Sequence, residues 1–146
     1  MAKKLSTKDL NAGTDAFIKA NAVLEPIRLK AWDDQGLTVT QLRLLYHLNE
    51  QDGIGNAELA TRLNVTRPSV SALLERLERN GFIRRDISRA DRRGIVISLE
   101  PAGRDAINGA KEDVRKSVGA LLGGLEEEQL KQVTDAFLVV AGASGK

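Results

Sequence analysis

The chain has 146 residues, enough for one domain with a modest core. It contains no cysteine, which excludes disulfides, thiolate metal sites and thiol-based peroxide sensing. Because it shows no signal peptide and no apolar run of membrane length, we expect a soluble cytoplasmic protein without a membrane partner. The net charge is only +2, but residues 57 to 104 hold ten of the thirteen arginines and a net charge of +4. This local excess of arginine indicates a surface suited to nucleic acid.

Two helices are predicted before residue 56. Ser6 and Asp9 are placed to cap the first helix, in which apolar residues recur every seven positions and form a seam for another helix. These residues are Leu10, Phe17, Leu24 and Ala31. Pro26 interrupts the pattern and predicts a kink. The second helix begins at a capping box formed by Thr38 and Gln41 and ends near a glycine-containing turn.

Residues 56 to 81 are predicted to form two helices joined by a tight turn. Asn56 is placed to cap the first of these helices and Thr66 to cap the second. Pro68 falls in the first turn of the second helix, where proline is tolerated, and Gly81 ends that helix. This order is typical of a helix-turn-helix, although an ordinary amphipathic helical hairpin has the same apolar spacing.

The second helix of this pair has two different faces. Its apolar residues share one face by the 3.6-residue period, namely Val70, Leu73, Leu74 and Leu77. Ser69 and Ser71 lie near the start of the helix beside the opposite face, and Arg76 lies further along. Because short side chains let a helix approach base edges and arginines reach phosphates, we predict that this helix recognises DNA.

An arginine-rich segment follows, with five arginines between residues 84 and 93, and then the alternating apolar run Ile95–Leu99. We predict a β-hairpin with strands at residues 82 to 87 and 95 to 99 and a charged loop between them. Guanidinium groups on such a loop suit a phosphate-lined groove. The simpler interpretations are a solvated loop and ion pairs with Glu75, Glu78 or Asp86. A helix-turn-helix followed by this hairpin favours a winged helix-turn-helix.

The two ends of the chain carry further apolar stripes. The stripes after Pro101 mark a fifth and a sixth helix, separated at Gly123. They would pack within one chain or, more completely, against a second copy, which would present two recognition helices to a palindromic site. We therefore predict a mainly α fold of six helices with a small β-wing between the fourth and fifth. Residues 1–35 and 102–146 would form a helical dimerisation region and residues 36–101 a winged helix-turn-helix DNA-binding region.

Several short motifs occur in a specific order: Leu37-Thr38 with Gln41, Glu58-Leu59-Ala60, Ser71 to Leu77, Glu78 through Gly81-Phe82-Ile83 with Arg85, Asp91-Arg92-Arg93, and Leu99 with Gly103. Together they resemble the MarR family of bacterial transcription regulators over about residues 37 to 104. The resemblance implies a homodimer that binds double-stranded DNA, with the recognition helix in the major groove and the wing in the minor groove. The residues expected at the DNA are Arg67, Pro68, Ser69, Ser71, Arg76, Arg89, Asp91, Arg92 and Arg93.

The resemblance also implies release of a repressor from DNA by a small aromatic or anionic effector. Such a ligand would bind in a crevice between the dimerisation helices and the DNA-binding region, near Arg28, Trp32 and Tyr46. The alternative is that Trp32 and Tyr46 simply pack the joint between the two regions.

No catalytic, cofactor or metal site is predicted. The single histidine, His47, falls on the polar side of its helix and is interpreted as a surface residue. Gly53-Ile54-Gly55 lacks the third glycine of a dinucleotide loop and is interpreted as a turn, and Asp33-Asp34 as a solvated pair. An enzyme is therefore not expected. The alternative function is a winged-helix module that binds another protein and does not bind DNA.

Overall fold

The computed structural model describes residues 6–88 and 94–143. Within these residues it contains six helices and three short strands. The helices are α1 (Thr7–Asp33), α2 (Val39–Glu50), α3 (Asn56–Leu63), α4 (Arg67–Arg79), α5 (Pro101–Leu122) and α6 (Glu127–Ala143). The strands are β1 (Ile54–Gly55), β2 (Ile83–Ile87) and β3 (Ile95–Leu99). The predicted mainly α fold, with a β-wing between α4 and α5, is confirmed.

The first two helices begin at the predicted caps. Ser6 Oγ accepts a hydrogen bond from the backbone N–H of Asp9 at 3.1 Å. Thr38 and Gln41 form a reciprocal capping box at the start of α2, with hydrogen bonds of 2.9 and 3.3 Å. α1 continues through Pro26 as one helix and ends at Asp33. Polar side chains thus fix the helix starts at the places that the sequence indicates.

The three strands form one antiparallel sheet in the order β1-β3-β2. The interpretation of Gly53-Ile54-Gly55 as a turn is wrong for Ile54 and Gly55, which form β1 and pair with Ile97 and Val96 of β3. Ile54 is also buried. A strand of two residues is too short to show the alternation by which strands are recognised. β2 begins at Ile83, one residue later than predicted. Phe82 is still in the turn after α4, where its N–H donates to Leu77 O at 2.9 Å and Gly81 has a φ of +75°.

The buried core lies in the middle of the chain, between Ala31 and Ala110. It is formed by α2, α3, α4, the sheet and the first half of α5, which together we call the central lobe. The largest fully buried side chains are Leu42, Leu44, Leu45, Leu48, Ile54, Leu59, Leu74, Leu77, Ile83, Ile97, Leu99 and Ile107. α1 packs along α5, and Gln35 just after α1 donates through Nε2 to Asp113 Oδ2 at 3.2 Å.

The terminal helices leave large apolar side chains exposed. In the described part of the chain, α6 has no buried residue. The exposed apolar side chains of these helices are Leu10, Phe17, Ile18, Val23 and Leu29 in α1, Leu121 in α5, and Leu130, Phe137, Leu138, Val139 and Val140 in α6. A single copy of the chain therefore buries the apolar side chains of its central lobe but leaves many apolar side chains of its terminal helices exposed to solvent.

Candidate nucleic-acid interface

α3 and α4 form a helix-turn-helix whose turn is fixed by the backbone. The N–H of Val65 donates to Ala60 O at 3.1 Å, and Asn64 has a φ of 55°. Asparagine tolerates this left-handed conformation better than most residues, which explains its position in the turn. Ala60 is buried in the core, where its single methyl group permits close packing of the partner helix. The turn therefore holds α4 in a defined position relative to α3.

The first turn of α4 is capped and exposed. Thr66 caps the helix as predicted, since its Oγ1 accepts from the N–H of Ser69 at 3.4 Å. The same Oγ1 lies 2.8 Å from Ser69 Oγ. Pro68 occupies the first turn, where no hydrogen-bond donor is needed. Arg67, Pro68 and Ser69 are all exposed, so three of the predicted contact residues share one accessible helix end.

Ser71 lies one turn further into α4, and its hydroxyl is used within the motif. It donates to Arg67 O at 3.1 Å and accepts from Asn56 Nδ2 at 3.0 Å. The prediction that Asn56 caps α3 is wrong, because Gly55 holds the N-cap position and Asn56 is the first residue of the helix. The Asn56 side chain instead reaches across to α4. Ser71 thereby joins the two helices as well as lying beside the exposed face.

Three arginines on α4 extend into solvent. Arg67, Arg76 and Arg79 are exposed, and none of their guanidinium groups forms a hydrogen bond or an ion pair with the described residues. Arg79 is absent from the predicted contact residues, although its spacing of three from Arg76 places both on adjacent turns of the same surface. Guanidinium groups that are not paired with carboxylates remain available to phosphate oxygens.

The two arginines at the base of the wing are paired instead. Arg85 binds the Glu78 carboxylate through Nε and Nη2, and Arg84 donates to Asp86 at 2.7 Å and to Glu100 at 2.8 Å. The hydrogen bonds from Arg85 hold the pKa of Glu78 below its ordinary value. This confirms that Glu78 and Asp86 form ion pairs with arginines, so part of the local positive charge is neutralised by the fold.

The far end of the wing extends beyond the buried core. β2 and β3 stay paired as far as Ile87 and Ile95, and the N–H of Ser88 then donates to Gly94 O at 2.8 Å. Both isoleucine side chains are exposed. Four of the predicted wing residues lie outside the described residues, namely Arg89, Asp91, Arg92 and Arg93. Their contacts with DNA stay a prediction.

A groove of about 680 Å³ runs along α1 and reaches Val39 at the start of α2. Arg28 and Trp32 line it, and the Arg28 guanidinium carbon lies 5.5 Å from the centre of the Trp32 ring, at cation–π distance. Tyr46 is not in its lining. The ring of Tyr46 faces Lys111 at 5.5 Å, and burial raises the pKa of its hydroxyl while the charge of Arg28 opposes that rise. The structure therefore places two of the three predicted effector residues in one groove.

Residues 6–88 and 94–143 provide neither a metal site nor a membrane span. No group of three or more His, Cys, Asp or Glu side chains there is arranged to hold a metal ion. No helix in the same residues is both long enough and apolar enough to cross a membrane. His47 is half-buried, and its Nδ1 lies 3.7 Å from the Glu50 carboxylate. Asp33 and Asp34 are exposed, and Asp34 accepts from Lys30 Nζ at 2.7 Å.

Comparison with known proteins gives consistent matches. Residues 37–95 match the model of the MarR family. The chain is similar to the HTH-type transcriptional repressor MdtR of Bacillus subtilis, with 27% identity over 121 residues that cover 83% of this chain and 78% of that protein. It is also similar to the homoprotocatechuate degradative operon repressor of Escherichia coli, with 30% identity over 98 residues, 67% of this chain and 66% of that protein.

The fold is also found in solved structures. A variant of MepR from S. aureus, bound to an oligodeoxyribonucleotide, superimposes with a TM-score of 0.74 and 24% sequence identity. The match covers 98% of this chain and 100% of that one. The winged-helix architecture described above is therefore shared over almost the whole chain.

Proposed function

This chain belongs to the MarR family of transcriptional regulators, and we propose that it is a homodimeric repressor that binds a palindromic double-stranded operator. A member of this family is a regulator and not an enzyme. The observation that carries the proposal is the solvent-exposed surface of α4, which has a capped helix end and three arginines that no carboxylate of the described residues pairs with. Short side chains at that helix end permit close approach to bases, and the arginines supply phosphate contacts.

We assign different roles to the proposed contact residues. Arg67, Pro68 and Ser69 would face the major groove, and Arg76 would contact a phosphate. Ser71, which accepts a hydrogen bond from Asn56 of α3, would also lie near the major groove. An arginine at the wing tip, Arg92 or Arg93, would enter the minor groove, and Asp91 would orient an arginine. Arg89 would also contact the DNA. Residues 36–101 would thus contain the DNA-binding surface.

Fluorescence anisotropy with a labelled duplex from the promoter of the chain's own gene tests this proposal. Each lost phosphate contact removes about one released counterion, so Arg76→Ala should lower the slope of log affinity against log salt by about one. Arg115→Ala is the control, because Arg115 is also exposed but lies on α5, outside the helix-turn-helix and the wing. Absence of salt-sensitive binding would instead support the alternative winged-helix module that binds another protein.

Sequence preference is tested by a second pair of measurements. Replacing Ser69 with alanine should change the ranking of operator variants, whereas Arg92→Ala with Arg93→Ala should weaken binding to all duplexes and flatten its salt dependence. A uniform loss on every sequence for the Ser69 variant would remove that residue from base recognition.

The exposed apolar side chains of the terminal helices support the proposed homodimer, in which residues 1–35 and 102–146 form the dimerisation region. Burial of apolar surface stabilises association by about 25 cal/mol per Å². Phe137→Glu on α6 should therefore shift the chain to a monomer in size-exclusion chromatography with light scattering. Ile95→Glu is the control, because it places the same charge at an exposed apolar residue of the wing. A monomeric unmodified chain at micromolar concentration would refute the dimer.

We further propose that the groove along α1 binds a small aromatic acid that releases the repressor. The apolar wall and the Trp32 ring would hold an aromatic ring, and Arg28 would pair with a carboxylate. The ligand shifts the protein away from DNA only by its differential affinity for the two states, so binding and release must be reciprocal. Benzoate and salicylate should quench the fluorescence of Trp32, the single tryptophan, over the concentrations at which they weaken operator binding. Arg28→Ala should abolish both effects, and their persistence in that variant would refute this site.

A further inference from the structure

We propose that the Glu78–Arg85 ion pair sets the angle between the recognition helix and the wing, and so positions the wing for its contact with DNA. This inference rests on the proposed DNA-binding function. Glu78 lies in the last turn of α4 and Arg85 in the middle of β2, so the pair directly joins the two elements that would meet the DNA.

The geometry of this pair is that of a two-point contact. Arg85 Nε donates to Glu78 Oε2 at 2.8 Å, and Nη2 of the same guanidinium binds the same oxygen. A guanidinium group presents its donors in a rigid fork, so two donors fix the orientation of β2 more firmly than a single contact from a lysine would. The chain between α4 and β2 is only three residues long, and its conformation is fixed by Gly81. The ion pair therefore links α4 and β2 across a short connection of defined conformation.

The packing of the wing shows why such a contact is needed. Ile83 and its partner Leu99 are buried, and Ile97 is buried opposite Arg85. Two pairs further along, Ile87 and Ile95 are 69% and 55% exposed. The core thus supports β2 and β3 only as far as the register position of Arg85. Beyond it, the described parts of the two strands contribute no buried side chain that would fix their angle to α4.

The neighbouring arginine secures the other face of the same strand. Arg84 points away from Arg85 because side chains alternate along a strand, and it bonds to Asp86 and to Glu100, the residue before α5. β2 is therefore held toward α4 on one face and toward the start of α5 on the other. These pairs are partly exposed, and exposed pairs contribute little to stability, so their main effect would be on position.

The direction in which Glu78→Gln changes DNA affinity distinguishes a positioning role of the ion pair from a purely electrostatic effect of the Glu78 charge. Glu78→Gln removes a negative charge from a DNA-facing region, which by electrostatics alone should strengthen binding to a polyanion. If the ion pair positions the wing, the same change should weaken binding about threefold to tenfold, as expected for coupled neighbouring residues. Glu75→Gln is the matched control, because Glu75 lies one turn earlier on α4 and acts on Arg85 through its charge, but its carboxylate makes no hydrogen bond in the described residues. It should leave affinity unchanged or slightly increase it.

A double-mutant cycle with the wing completes the test. Duplex affinity is measured by anisotropy for Glu78→Gln and Arg85→Lys, each in the unmodified chain and in the Arg92→Ala, Arg93→Ala background. The loss should shrink to less than about twofold in that background, since a wing without its arginines gains nothing from correct placement. Equal losses in both backgrounds, or stronger binding by Glu78→Gln, would overturn the inference while leaving the DNA-binding function intact. Absence of DNA binding by the unmodified chain would overturn both. A far-UV circular dichroism spectrum identical to that of the unmodified chain shows that each variant retains the fold.

Discussion

Replacing Gly103 with alanine tests how the wing joins α5. Gly103 is the third residue of α5, and a Cβ atom there would lie 2.4 Å from the carbonyl oxygen of Phe82 and 2.6 Å from Leu99 Cδ1. That carbonyl already accepts a hydrogen bond from the N–H of Glu100 at 3.0 Å. The backbone on both sides of the wing would have to move apart to admit one methyl group, because a carbonyl held in this way cannot rotate aside.

Two opposing terms decide the sign of the change. Alanine is favoured over glycine within a helix by up to about 1 kcal/mol. Overpacking of a tightly packed site costs about 1–3 kcal/mol, and the upper part of this range, about 2–3 kcal/mol, applies here because the contact is with backbone and not only with a flexible side chain. The overpacking term is therefore larger, and Gly103→Ala should reduce the free energy of unfolding by about 1–2 kcal/mol. For a chain of this length, that loss lowers the melting temperature by about 2–8 °C.

Urea unfolding followed by Trp32 fluorescence measures the change, because this single tryptophan packs against the core. Protein concentration is kept constant, since association would add to the apparent stability. Gly119→Ala is the control: Gly119 is in the same helix, and beyond the adjacent helix backbone no atom lies within 4 Å of the place that a Cβ would take, so alanine should stabilise by up to about 1 kcal/mol. If Gly103→Ala is as stable as the unmodified chain or more stable, the close approach to Phe82 does not constrain the joint.

Three further changes follow from contacts in the central lobe. Leu77→Ala empties a fully buried site of α4 and should cost about 2–5 kcal/mol in the free energy of unfolding, measured in urea. Thr66→Ala removes the cap on Ser69 and should cost about 1 kcal/mol, with Thr66→Ser retaining most of it. Because Arg85 lowers the pKa of Glu78 in the folded state, the pair stabilises the fold above the ordinary pKa of 4.5 and loses this effect as the pH falls through the lowered folded value. The stability difference between the unmodified chain and Glu78→Gln should therefore shrink as the pH is lowered below 4.5, and a pH-independent difference would contradict it.

The helices and the turn of the helix-turn-helix were predictable because their signals are local. Caps at Thr38 and Thr66, the glycine at position 81 and the 3.6-residue apolar period each depend on a few neighbouring residues, and each is confirmed. β1 could not be predicted in this way. Its two residues are strand only because Ile97, more than forty positions away, provides a pairing edge.

The candidate interface shows the same division between local and distant contacts. The exposed first turn of α4 follows from its apolar period, whereas the Asn56–Ser71 contact depends on how α3 and α4 cross. Asn56 is a good N-cap residue by type, and only the packed structure shows that its side chain has another partner. The pairing of Arg85 with Glu78 was one of several ion pairs open to a cluster of arginines, and the turn at Gly81 selects it.

The separation between a buried central lobe and exposed terminal helices also bears on the order of folding. Because the core lies between Ala31 and Ala110, the lobe has its own apolar interior and can collapse in a first-order step. α6 would gain its cover only when two chains meet, in a second step whose rate rises with concentration. A newly made chain would thus have a formed recognition helix before it has a partner. During that interval a single chain would have one recognition helix, which can contact one half-site. It would lack the second recognition helix at the fixed spacing that a palindromic site requires.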